Sequence, residues 1–132
     1  MGYESRLYVV EKFHLDREVD IANEEKSYAS IVGMIDLCGC EEEFLKIREF
    51  PETDCYIYVD GKQCYEDKYS EPLKEATIDE TLALLHKGYA NSFKYYSNGY
   101  GYRRYQLAIS MLEGFKLADM CSDNIVVLHY GY

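Results

Sequence analysis

The chain has 132 residues, enough for one domain with a core of its own and too few to demand a second. Hydrophobic residues at 48% beside charged residues at 29% exclude a disordered polymer. A net charge of −10, from 14 basic and 24 acidic residues, repels phosphates at long range and argues against direct DNA or RNA binding.

The first predicted element is a strand from Arg6 to Phe13, with Leu7, Val9 and Phe13 on one face and Tyr8 and Val10 on the other. Residues 14–26 are charged and aperiodic, which reads as a solvated loop. A second strand is expected from Tyr28 to Leu37, where Ala29, Ile31, Gly33, Ile35 and Leu37 form one continuous apolar face. Gly33 within it marks a bulge or the close approach of another element. Glu41, Glu42 and Glu43 then stand where acids complement the positive end of a short helix that Pro51 stops.

Cys55 to Tyr65 carries the clearest local signal. Asp60-Gly61 between two alternating runs is a two-residue hairpin turn, because both positions need positive φ. Counting outward pairs Ile57 with Cys64 and Tyr58 with Gln63. Cys55, Ile57, Val59 and Cys64 then face a core, and Tyr56, Tyr58 and Tyr65 face outward. Thr77-Ile78-Asp79-Glu80 is a capping box that opens a helix with Ile78, Leu82 and Leu85 on its buried face. Gly88 after His86-Lys87 reads as its stop. A tyrosine-rich loop over 89–105 follows, turning at Asn98-Gly99. The next helix is expected from about Arg103 to Leu117, with Tyr105, Ala108, Ile109, Leu112 and Phe115 as its stripe. Ile125 to Tyr130 is a β-branched run that returns to the sheet.

This order predicts a single α+β domain over 1–132: a mostly antiparallel sheet of about five strands with two to three helices packed on one face.

Chemistry-bearing residues are sparse. Cys38, Cys40, Cys55, Cys64 and Cys121 lack knuckle spacing, and free cysteines are among the most buried residue types, so no metal is expected. Their odd number, without a signal peptide, points to free thiols in a reducing cytoplasm. Arg6 stands where a myristoylation motif needs Ser or Thr, and no apolar run is long enough to span a membrane. His14, His86 and His129 bring no third group that would build a nucleophilic triad. Glu66-Asp67 reads as a solvated pair, and no glycine-rich phosphate loop is present. No cofactor and no enzymatic activity are expected.

What stands out is charge asymmetry. Residues 1–75 carry net −10, while no acid lies between Glu80 and Glu113, where Lys87, Lys94, Arg103 and Arg104 fall. The candidate contact residues are therefore Tyr95, Tyr96, Tyr100, Tyr102, Arg103 and Arg104, joined by Glu41, Glu42 and Glu43 on the acidic side. A basic protein partner is one reading of this pattern. The alternative is a pocket that sequesters a small nucleotide signal by ring stacking and phosphate pairing, and a small enzyme with an unidentified site comes third.

Three stretches carry a family likeness: Gly-Tyr-Glu-Ser-Arg-Leu-Tyr-Val-Val from Gly2, Glu-Asp-Lys-Tyr-Ser-Glu-Pro-Leu-Lys-Glu from Glu66, and Val-Val-Leu-His-Tyr-Gly-Tyr from Val126. In these the chain resembles small proteins of phages and mobile elements of Gram-positive bacteria. The resemblance implies a cytoplasmic protein that binds and inhibits a host factor. A defence nuclease such as a CRISPR effector, whose basic channel an acidic surface fits, is the first choice, in the manner of an anti-CRISPR. No membrane association is implied, and self-association stays open.

Overall fold

A computed structural model describes residues 5–12, 27–36, 50–95, 100–118 and 124–131, with backbone alone at 5, 27, 91–95 and 100–104. The described elements run β1 (Ser5–Lys12), β2 (Ser27–Asp36), β3 (Cys55–Val59), β4 (Lys62–Cys64), β5 (Lys74–Ala76), α1 (Ile78–Tyr95), α2 (Tyr100–Leu117) and β6 (Ile125–Gly131). The α+β class holds. The sheet has six strands in the order β4-β3-β2-β1-β6-β5, not five, because the short β5 beside β6 carries no pattern of its own. Every pair is antiparallel except β2 with β3. The predicted loop over 14–26 and the short helix after Glu41 lie outside the described residues.

The hairpin forms as its turn chemistry dictates. Asp60 and Gly61 have φ of 53° and 77°, and the register is Ile57↔Cys64, Tyr58↔Gln63 and Val59↔Lys62. The capping box also forms: the Glu80 amide donates to Thr77 Oγ1 and the Thr77 amide to Glu80 Oε1, both at 3.0 Å.

The sheet curls. Ahead of β3, Glu52 bridges to Lys74 of β5, and two backbone bonds (Thr53 N to Leu73 O, Glu75 N to Pro51 O, each 2.9 Å) join one side of the sheet to the other. Inside the curl lies one core: Tyr8, Val10, Ala29, Ile57, Leu73 and Leu128 are among its buried members. The second core lies on the opposite face under the helices, where Leu7, Val9, Ile35 and Val127 meet Leu82, Leu85 and Leu112. Complete burial of such side chains contributes about 1.5–3 kcal/mol each. With both its faces covered, β6 is buried at every position.

The continuous apolar face predicted for β2 does not exist. The register slips between Val9 and Val10, which pair with Gly33 and Ile31, leaving Val32 as a bulge. Because side chains alternate, the extra residue inverts the pattern: Ile35 faces the helices, whereas Ala29 and Ile31 face the inner core. Gly33 fulfils both expectations made for it. It borders the bulge, and a Cβ there would stand 2.7 Å from Phe115 Cζ of α2.

The helices differ most from expectation. Gly88 does not stop α1, which runs on to Tyr95, and α2 begins at Tyr100, so most of the predicted 89–105 loop is helical. Gly88 is instead the contact point of the helix pair. The stripe predicted for α2 holds, with Tyr105, Ala108 and Leu112 fully buried and Ile109 and Phe115 packed against the same core.

Candidate functional site

The described residues among the predicted contacts fall where α1 ends and α2 begins, on helix rather than on loop. Tyr95 is the last residue of α1, and Tyr100, Tyr102, Arg103 and Arg104 lie in the opening turns of α2. Tyr96, Glu41, Glu42, Glu43 and the Asn98-Gly99 turn lie outside the described residues. Two further tyrosines of the stretch serve the fold: Tyr105 is wholly buried, and Tyr89 packs against the helix-side core.

A different aromatic cluster is assembled on the outside of the curl. The parallel pairing of β2 with β3 sets Tyr28 directly beside Tyr56. Their ring centroids are 5.8 Å apart, as are those of Tyr28 and Tyr58. Tyr56 also meets Tyr58 at 5.9 Å and Tyr65 at 5.4 Å. Such tilted and edge contacts favour aromatic pairs over isolated rings. The Gln63 amide donates to the Tyr65 hydroxyl at 2.6 Å, which orients the fourth ring. Three of the rings reach solvent: Tyr58 is 49% exposed, Tyr65 38% and Tyr28 36%. The hairpin register predicts the outward Tyr56, Tyr58 and Tyr65. Tyr28 joins them only through a pairing between strands that 18 intervening residues separate.

The segment that carries Tyr56, Tyr58 and Tyr65 is acidic. Between positions 52 and 71, Glu52, Asp54, Asp60, Glu66 and Glu71 are exposed, against Lys62 and Lys68. Asp67 is the exception, correcting its reading as a solvated charge: it is buried, and its carboxylate accepts three backbone amides. Oδ1 takes Tyr69 N at 2.8 Å and Glu71 N at 3.1 Å, and Oδ2 takes Gly131 N at 3.1 Å. It therefore ties the loop after β4 to the end of β6.

Where the curl joins, Lys12 of β1 places its ammonium 2.9 Å from Glu75 of β5 and 3.0 Å from Asp54. Thr53 Oγ1 donates to Glu75 at 2.8 Å, and the Cys55 thiol donates to Asp54 at 3.3 Å. Burial opposes the Lys12 charge, but its bonds to Glu75 and Asp54 outweigh that and raise its pKa; the Lys12 bond lowers that of Asp54. Burial first, and then the Asp54 carboxylate, push the Cys55 thiol up to about 11, so it is protonated and a poor nucleophile at neutral pH. The ligand atoms of Asp54, Cys55 and Glu75 all lie within 4.8 Å of one another, but the ammonium bonded to both carboxylates supplies the compensating charge a metal would bring. The cluster is a structural clasp.

His129 is buried in β6, and His86 is exposed on α1 with Nε2 4.0 Å from Glu113 of α2, mid-helix rather than at a helix end. His14, Cys38, Cys40 and Cys121 lie outside the described residues. Among the described residues no helix is long and apolar enough to cross a membrane. Comparison with family models, curated proteins and solved structures finds no match.

Proposed function

We propose that this chain is a non-enzymatic binding protein that acts by occupying a basic surface of a partner protein. The observation that carries this reading is the four-ring tyrosine face at Tyr28, Tyr56, Tyr58 and Tyr65, three of whose rings come from an acid-rich segment. Tyrosine presents a large, stiff, amphipathic surface at small entropic cost and is enriched where binding energy concentrates. The net charge of −10 selects a partner of opposite sign and steers its approach.

A nucleic-acid-binding host protein offers such a surface, and a defence nuclease whose channel expects phosphates is the reading that the likeness to phage proteins favours. Inhibition then follows from competition with the nucleic acid. The test is retention of lysate proteins on the immobilised chain under a salt gradient. Basic proteins should be retained and should elute as salt screens the attraction. Retention indifferent to salt would sink the electrostatic reading.

A further inference from the structure

We infer that the Tyr28–Tyr56–Tyr58–Tyr65 face recognises arginine side chains of a partner protein, in preference to lysine. The inference rests on the binding-protein reading above and names what that face takes. Two observations combine in it. The first is the ring cluster itself, which offers exposed aromatic surface at Tyr28, Tyr58 and Tyr65 on a hydrogen-bonded sheet. The second is charge: exposed Asp60 stands in the turn beyond Tyr58, and exposed Glu66 directly follows Tyr65.

A guanidinium uses both features at once. Its weakly hydrated plane stacks on an aromatic face while its edge donors reach a carboxylate. An ammonium is a strongly hydrated point charge and gains less from the rings. Both cations feel the same acidic field, so the field alone draws a basic segment without choosing between them. The rings supply the choice. The Lys12–Asp54–Glu75 clasp before β3 and the Asp67 turn after β4 tie both ends of the hairpin that presents three of those rings.

The experiment titrates the full chain with two peptides of equal length and charge, one built on arginine and one on lysine, by calorimetry at low salt. The arginine peptide should bind about tenfold tighter, the equivalent of about two exposed cation–π contacts. Tyr58→Ser combined with Tyr65→Ser should erase that preference while a thermal melt stays cooperative. Equal affinities for the two peptides overturn this inference and leave the charge-based function standing. A preference that survives the double substitution also overturns it, by locating the site elsewhere. Binding of neither peptide removes the charge-based reading as well. Sedimentation completes the test: a dimer that the double substitution dissolves would give the face to a second copy and overturn the proposal.

Discussion

Gly88 of α1 lies against the ring of Tyr105 of α2 so closely that a Cβ at position 88 would stand 2.6 Å from the ring's Cζ. Tyr105 is fully buried, so its ring has no free space into which to swing. The missing side chain sets how near the two helices approach. Gly88→Ala gains about 1 kcal/mol of helix propensity but suffers overpacking of about 1–3 kcal/mol. A net loss in urea unfolding is expected. In the Gly88→Ala/Tyr105→Leu pair the two losses should fall well short of adding, since one clash is shared.

Gly114 of α2 predicts the opposite sign. Nothing lies within 4 Å of a Cβ placed there, and the residue is helical. Gly114→Ala should stabilise the protein by roughly 0.5–1 kcal/mol. A rise in melting temperature checks it.

Asp67 accepts from Tyr69, Glu71 and Gly131 with both carboxylate oxygens. Asp67→Ala strands those amides and should cost about 2–4 kcal/mol. Asp67→Asn should be nearly as costly, because with its oxygen toward Tyr69 and Glu71 its amide nitrogen meets the Gly131 N–H, donor against donor. Denaturant midpoints of the two variants read this directly.

The Lys12 clasp sets the response to pH. The Cys55 thiol has a folded pKa of about 11 against an ordinary 9.0, so between those values the unfolded chain releases a proton that the folded chain keeps. Stability therefore falls as pH rises through that window, by about 2–3 kcal/mol in all. Lys12, also raised, adds a loss of the same sign once pH passes 10.5. Asp54 is lowered, so its contribution is present above its ordinary 3.8 and is lost as pH falls through the lower folded value. Unfolding midpoints across the alkaline range check the first effect. Alkylation of the native protein at pH 8, mapped by peptide mass, checks the thiol: Cys64, half-buried, should react before Cys55.

At the turn, Gly61 has open space around it but a φ of 77°. Gly61→Ala should cost roughly 1–2 kcal/mol from backbone strain alone. Loss of cooperativity in the hairpin amides, followed by hydrogen exchange, would locate the effect.

The features legible along the chain are those whose physics is local. The Asp60-Gly61 turn dictated the register of Ile57 and Cys64 across it, since two residues of positive φ leave one way to pair. The Thr77–Glu80 box placed the start of α1, and the 3.6-residue period picked out Tyr105, Ala108 and Leu112. For the site, the same alternation that buries Ile57 turned Tyr56 and Tyr58 outward.

What only the tertiary structure decided are meetings between distant segments. Gly88 has the composition of a helix stop, yet Tyr105 makes it a helix contact. The bulge at Val32 inverts β2 because the inner core claims Ala29 and Ile31, a demand invisible in a run whose odd positions are all apolar. Asp67 is a solvated acid by composition and a buried acceptor by position, since Gly131 reaches it from 64 residues away. Tyr28 joins Tyr56 for the same reason, which completes an aromatic cluster on the curled sheet. Local propensity acts within a few residues; burial and hydrogen-bond satisfaction are settled by whatever the closed chain brings alongside.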